Sequence, residues 1–151
     1  MAAGEITIRW ARGPEDVRGA LAVREEVFCR EQGVPLAEEI DGRDGDALHL
    51  VALEGGDAGR VVATLRLLQA DGVAKIGRVA VEREWRRRGI ASRMLEMALE
   101  VAQERQCRRA RLAAQTEATA LYERAGFNVE SGPFESAGIE HVWMGRALDG
   151  A

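Results

Sequence analysis

Cysteine is scarce in this chain, with only Cys29 and Cys107 among 151 residues. They form no CxxC pair and no metal-ligand cluster with the two histidines, His49 and His141, so neither a thiol redox motif nor a metal site is expected. Two reduced thiols packed as small hydrophobes are the simpler reading. Long apolar runs are also missing. The N-terminal MAAGEITIRWARG has no basic segment followed by an apolar stretch of signal-peptide length, and no later stretch is long and uncharged enough to span a bilayer. A cytoplasmic protein without membrane contact is the expectation. Nor is positive charge in excess: 21 Lys and Arg face 25 Asp and Glu, a formal net charge of −4 that argues against broad, charge-driven nucleic-acid binding. Finally, neither GxxxxGK[ST] nor GxGxxG occurs, which removes two familiar nucleotide-binding loops.

What remains is a chain of one-domain size, 46% hydrophobic and 30% charged, and a single domain over residues 1–151 is expected. EITIRW alternates as a strand does, and Pro14 with Glu15 and Asp16 opens a helix whose inner face reads Val17, Ala20, Leu21, Val27 and Phe28. Arg24 falls on that apolar stripe. It either snorkels along the edge or has a buried partner or substrate contact. Residues 32–46, QGVPLAEEIDGRDGD, read as a long loop with room for a helical turn, a length that is often functional. Three β-like runs follow, ALHLVALE, GRVVATLRLLQ and AKIGRVAV, separated by turn-forming stretches, as in an antiparallel meander.

The clearest helix comes next, with Ile90, Met94, Met97 and Val101 at helical spacing and Arg93, Glu96, Glu100 and Glu104 opposite. A strand at RARLAA, a short helix through EATALYERAG ended by Gly126, and strands near FNVESGPF and EHVWMGRAL complete the pattern. The order is α/β of the α+β kind. A strand, helix, strand crossover at its centre supplies a parallel pair able to splay and admit a ligand.

Against the acidic total, EWRRRGIASRML concentrates Arg86, Arg87 and Arg88 directly before Gly89 and a helix start. In that first turn the backbone N–H groups lack intrahelical partners and the dipole is positive, while Ala91 and Ser92 are small enough to let an anion approach. The chemistry suits a pyrophosphate, with a solvated basic turn as the alternative. RVAVEREWRRRGIASRML resembles the acyl-coenzyme A signature of the GNAT acetyltransferase family, whose Q/R-x-x-G-x-G/A element matches Arg86, Gly89 and Ala91. LAAQTEATALYERAGF is similar to that family's second signature, with Gln115 where many relatives carry Asn. VREEVFCREQGVP, EIDGRDGDALHLVA and FESAGIEHVWM resemble the ElaA/YjcF-like branch.

The resemblance implies a GNAT-like acyl-CoA N-acyltransferase fold: a central mixed, mainly antiparallel sheet flanked by helices, with splayed parallel strands 4 and 5 at GRVAV and RLAAQ. It implies acetyl-CoA as cosubstrate, bound by Val79, Ala80 and Val81, by Arg86, Arg87, Arg88, Gly89, Ile90, Ala91 and Ser92, and by Gln115 and Tyr122. It implies that the Val79 N–H polarises the thioester carbonyl and stabilises the oxyanion. It implies that Tyr122, the one tyrosine in the chain, protonates the leaving thiolate, core packing being its other reading.

The acceptor implied is a small-molecule or protein amine, attacked directly without a covalent enzyme intermediate, since neither cysteine lies in the cofactor motifs. An ammonium must lose a proton first, and Glu31, Glu38, Glu39, Asp41, Glu140 and His141 are the candidates to take it or to hold the acceptor. Each could equally be structural or solvated. LAEEIDGRDGD carries five carboxylates and one arginine, a surplus able to attract a cation. Trp10, Trp85 and Trp143 either line an acceptor pocket or pack the core. A homodimer is allowed by family analogy. Two other readings stand beside the transferase: a non-catalytic acyl-CoA sensor on the same fold, and a nucleic-acid contact through RRR and RQCRRARL, which the acidic total disfavours.

Overall fold

The computed structural model describes residues 5–148, so the first four residues of the N-terminal stretch read above lie outside it. Strand β1, Ile6–Trp10, leads to helix α1, Pro14–Arg24, with Pro14 in the first turn, where its missing N–H costs no hydrogen bond. The helix continues as seven residues of π-helix, Glu25–Glu31, a wider form found mostly in short stretches near functional sites. A single turn α2, Leu36–Glu39, and a 3-10 turn, Asp44–Asp46, interrupt the long loop. Strands β2, Leu48–Glu54, β3, Arg60–Ala70, and β4, Val73–Val81, form the three-strand run. A 3-10 turn, Arg83–Trp85, precedes α3, Ile90–Glu104. Strand β5, Arg109–Gln115, helix α4, Thr119–Arg124, and strands β6, Asn128–Val129, β7, Phe134–Ser136, and β8, Ile139–Ala147, complete the chain.

The α/β architecture expected from the sequence is present: eight strands are hydrogen-bonded in the order β1-β2-β3-β4-β5-β8-β6, with β7 also on β8. β4 and β5 run parallel, and the pairs β1–β2, β5–β8, β6–β8 and β7–β8 are antiparallel. Two compact units can be distinguished, one made of the chain up to Arg66 with Arg78–Met94, the other of Leu67–Gly77 with Leu95 onwards.

In the first unit β1 pairs with β2 from Ile6 opposite Glu54 to Trp10 opposite Leu50. β2 and the first part of β3 are buried almost without interruption, the pattern of strands covered on both faces. Ala20, Val23, Val27, Val51, Leu53, Val61 and Ala80 form the core, each fully buried Val or Leu contributing about 1.5–3 kcal/mol. Gly19 lets α1 approach β3 closely, because a Cβ there would lie 2.6 Å from Cγ2 of Val61. The buried stripe of α1 and its continuation is Ala20, Val23, Arg24 and Val27, whereas Val17, Leu21 and Phe28 are only half-buried. The inner face is therefore rotated slightly from the one read in the sequence, and Arg24 lies at its centre.

In the second unit the parallel ladder joins Val73–Lys75 of β4 to Arg109–Arg111 of β5. β8 pairs with the whole of β5, from Arg109 opposite Ala147 to Gln115 opposite His141. The expected strand near FNVESGPF is two short strands, β6 and β7, because Gly132 and Pro133 fall between them. Cys107 is buried and Cys29 half-buried; both thiols are free, and burial pushes each above its ordinary value. Among the described residues no helix is long and apolar enough to cross a membrane, and no group of three or more His, Cys, Asp or Glu could hold a metal ion.

Candidate functional site

The segment joining β4 to α3 is built around Trp85, whose side chain is buried at the 3-10 turn. The Arg88 guanidinium lies 4.7 Å above its ring, a cation–π contact that fixes one arginine along the loop. Arg86 turns back: its Nε donates to the carbonyl of Val81 at 2.8 Å and its Nη2 to Oε1 of Glu31 at 2.7 Å. Arg83 donates to the other oxygen of Glu31 at 3.3 Å. Arg87 and Gly89 both have positive φ, 64° and 79°, a backbone that coils tightly into the helix start. Gly89 is needed there for conformation rather than space, since an added Cβ would meet nothing within 4 Å.

In α3 the Arg93 N–H bonds to the carbonyl of Gly89 at 3.1 Å, so the N–H groups of Ile90, Ala91 and Ser92 precede the first intrahelical bond. No acidic residue stands in that turn to compete for them. Three N–H groups at a positive dipole end, with no side chain at Gly89 to cover them, are the kind of arrangement that suits an anion.

β4 carries a second unusual feature. Arg78 has φ of 52° inside an extended strand, a left-handed conformation that costs a non-glycine residue roughly 1–2 kcal/mol. It immediately precedes Val79, and its rotation sets the direction of the peptide that ends in the Val79 N–H. The Arg78 side chain is held by α2 and the loop after it: Nε donates to Oε2 of Glu39 at 2.9 Å and Nη2 to the Glu39 carbonyl at 2.9 Å. Glu39 is itself buried, and Arg24, wholly buried, donates to the same Oε2 from Nε at 2.9 Å.

The cluster extends further. Arg24 also reaches both oxygens of Asp44, at 2.8 and 3.2 Å, and Arg66 bonds Asp44 at 3.0 Å and Asp41 at 2.5 and 2.9 Å. Three arginines thus meet three carboxylates. The Arg66 hydrogen bonds hold Asp41 well below the usual carboxylate range. Burial works against ionised Asp44, but the bonds from Arg24 and Arg66 outweigh it and keep its carboxyl low. Burial likewise opposes the charge on Arg66, yet Asp41 and Asp44 raise it above its ordinary value. His49 closes the edge, with Nε2 3.0 Å from the Asp44 carbonyl. Three of the five carboxylates in LAEEIDGRDGD are therefore neutralised, which removes most of the surplus the sequence suggested.

The candidate bases stand on several separate elements. Glu31 ends the π-helix and is taken up by Arg86 and Arg83; chiefly the Arg86 hydrogen bond lowers its carboxyl from the usual range. Glu39 is occupied by Arg24 and Arg78, and Glu38 is exposed on α2. In the second unit the His141 ring lies 2.7 Å through Nδ1 from the Ile139 carbonyl and stacks on Phe134 at 5.9 Å, and Glu140 accepts from Thr116 at 3.1 Å. Trp143 is bracketed by Phe134 on one side and by the Arg111 and Lys75 cations, 4.6 and 5.4 Å from its ring.

Gln115 ends β5 opposite His141. Tyr122 sits on α4 with 7% of its surface exposed, edge-on to Phe127 at 6.3 Å, and burial pushes its phenol up to about 12. The Phe127 N–H closes the helix end onto the Tyr122 carbonyl at 3.0 Å, which Gly126 permits with φ of 91°.

Comparison with known proteins gives a consistent result. The sequence model described as the Acetyltransferase (GNAT) family matches residues 15–127. The uncharacterized N-acetyltransferase YjcF of Bacillus subtilis is 33% identical over 135 residues, 89% of this chain and 94% of that protein. The crystal structure of an acyl-CoA N-acyltransferase from Pseudomonas aeruginosa superposes with a TM-score of 0.82 at 31% identity, covering 95% of this chain and all of that one. Escherichia coli ElaA superposes with a TM-score of 0.80 at 26% identity, covering 93% and 99%.

Proposed function

This chain belongs to the acetyltransferase (GNAT) family of acyltransferases, and we propose that it transfers the acetyl group of acetyl-CoA to a small-molecule or protein amine by direct attack. The observation that carries the donor assignment is the start of α3: Arg87, Arg88, the left-handed Gly89 and the N–H groups of Ile90, Ala91 and Ser92, with no acid in the turn. These groups bind the pyrophosphate of coenzyme A through the helix dipole and charge-assisted hydrogen bonds. Arg86, held by Val81 and Glu31, braces the loop from behind. Val79, Ala80 and Val81 offer backbone groups to the pantetheine arm, and Gln115 offers its amide to the cofactor.

In the reaction a neutral amine nitrogen bonds to the thioester carbonyl carbon, the carbonyl electrons move onto oxygen, and the Val79 N–H stabilises that charge. The carbon–sulfur bond then breaks, the amide remains, and the proton lost by nitrogen balances the thiolate that leaves. With its phenol near 12, Tyr122 stays protonated through the working range and donates a hydrogen bond to the sulfur as charge develops. Of the candidate bases, Glu31, Glu39 and Asp41 are committed to arginines, which leaves Glu38, Glu140, His141 or a water chain to receive the ammonium proton.

Titration calorimetry with acetyl-CoA and with CoA tests the donor site, comparing the wild type with Arg88→Glu combined with Gly89→Asp. Micromolar binding abolished by the double substitution supports the assignment, and a folded wild type that binds neither compound overturns it. Thiol release on mixing acetyl-CoA with an amine panel separates a transferase from a non-catalytic sensor, which would bind without turnover.

A further inference from the structure

We infer that Glu39 and Arg24 are positioning residues that act through Arg78 to hold the backbone in front of Val79. The inference rests on the reading of the Val79 N–H as the oxyanion donor. Three observations carry it. Arg78 occupies a left-handed conformation in mid-strand, a strained state for a non-glycine residue that its surroundings must hold. Its guanidinium is gripped from Nε and from Nη2 by the side chain and the carbonyl of one residue, Glu39, so rotation of the Arg78 backbone is resisted through two bonds in different directions. Glu39 cannot swing away, because its carboxylate is buried and shares Oε2 with fully buried Arg24.

The geometry explains why α2, a single helical turn, carries a buried acid. A carboxylate buried against the buried guanidinium of Arg24 is a rigid anchor, because leaving either of that pair unpaired is costly. The anchor ties the loop between the π-helix and β2 to one peptide of β4. Asp41 adds a weaker grip at 3.4 Å from Nη2 of Arg78. Arg78 is thus a clamp on the backbone, and its side chain needs no contact with substrate to influence the chemistry.

The test uses Arg78→Ala and Arg78→Gly in the full chain. Both remove the guanidinium, but only glycine takes a φ of +52° without strain. The expected result is a fall in kcat of about 10- to 100-fold for Arg78→Ala, in line with misplacing one oxyanion donor, with the KM for acetyl-CoA within about twofold. Arg78→Gly should recover most of that loss, and Glu39→Gln should show an intermediate fall in kcat. Wild-type kcat in a folded Glu39→Gln variant would overturn the clamp as a positioning device, because that variant keeps the Arg78 side chain and weakens only what holds it.

The amide 1H–15N resonance of Val79 supplies a readout independent of turnover. It should move in Glu39→Gln, a substitution that leaves the residues on either side of Val79 unchanged. No movement in Glu39→Gln overturns the clamp. Movement with kcat intact keeps the clamp and overturns the oxyanion role of Val79, so failure of the two readings can be told apart.

Discussion

Nη2 of Arg86 lies 2.7 Å from Oε1 of Glu31, joining the loop before α3 to the end of the π-helix. The pair ties up one arginine of the loop before α3 and one candidate base in a single contact. It makes Glu31 a poor proton acceptor, because the neighbouring guanidiniums favour its ionised form.

Glu31→Gln should therefore keep the acidic limb of the kcat/KM profile, with kcat within about fivefold of the wild type, well short of the 10²–10⁴ that general-base catalysis supplies. A pH series on the variant decides the matter. Loss of the limb together with a hundredfold fall in rate would restore Glu31 as the base.

Tyr122→Phe keeps the edge-on contact with Phe127 and removes only the hydroxyl. The expected loss in kcat is about 10²-fold, with CoA affinity unchanged by calorimetry. Because burial raises the phenol to about 12, Tyr122 should impose no alkaline limb on wild-type kcat below about pH 10. An alkaline limb near pH 8 that vanishes in the phenylalanine variant would contradict both the burial and the neutral-donor role.

Arg24→Met leaves the buried Glu39 with Arg78 alone and deprives Asp44 of its bidentate partner. Breaking a buried pair from one side costs about 3–5 kcal/mol, so thermal unfolding should move down by on the order of 10 °C. Arg24→Lys should rescue little, since a single ammonium cannot reproduce the fork that bridges two carboxylates. A shift of under about 2 °C for Arg24→Met would show that the cluster adds nothing to stability.

Acid sensitivity follows from the same carboxylates. Hydrogen bonds from Arg66, from Arg9 and from Arg86 hold Asp41, Asp16 and Glu31 below their unfolded values, and the bonds of Arg24 and Arg66 outweigh burial at Asp44. Groups with lowered folded values stabilise above the unfolded value and lose that stabilisation as pH falls through the folded one. The urea midpoint should be flat in their contribution from about pH 5 upward and drop steeply below about pH 4. Asp41→Asn should lower the plateau and flatten the drop, and an unchanged slope would remove Asp41 from the account.

Much of the fold could be read locally. Alternation in EITIRW and the helical spacing from Ile90 to Val101 place β1 and α3, because side-chain periodicity depends only on neighbours in sequence. The arginine-rich start of α3 was legible for the same reason: three arginines, a glycine and two small residues lie within seven positions. Arg24 gave a signal without an explanation, a cation on an apolar stripe. Its partners stand 15 and 20 residues away, and Arg78 reaches Glu39 across 39. No spacing rule links such positions.

The sequence by itself determined most of the elements, the family resemblance and the basic, glycine-containing start of α3, since each depends on short-range pattern. Only the tertiary structure decided which charges are free to act. Glu31, Glu39, Asp41 and Asp44 looked alike as acids in or beside a loop, and folding gave each an arginine from a distant element. The left-handed turn at Arg78 was equally invisible, because an arginine in a strand-like run predicts extended backbone. What keeps it there is a buried carboxylate contributed by another part of the chain.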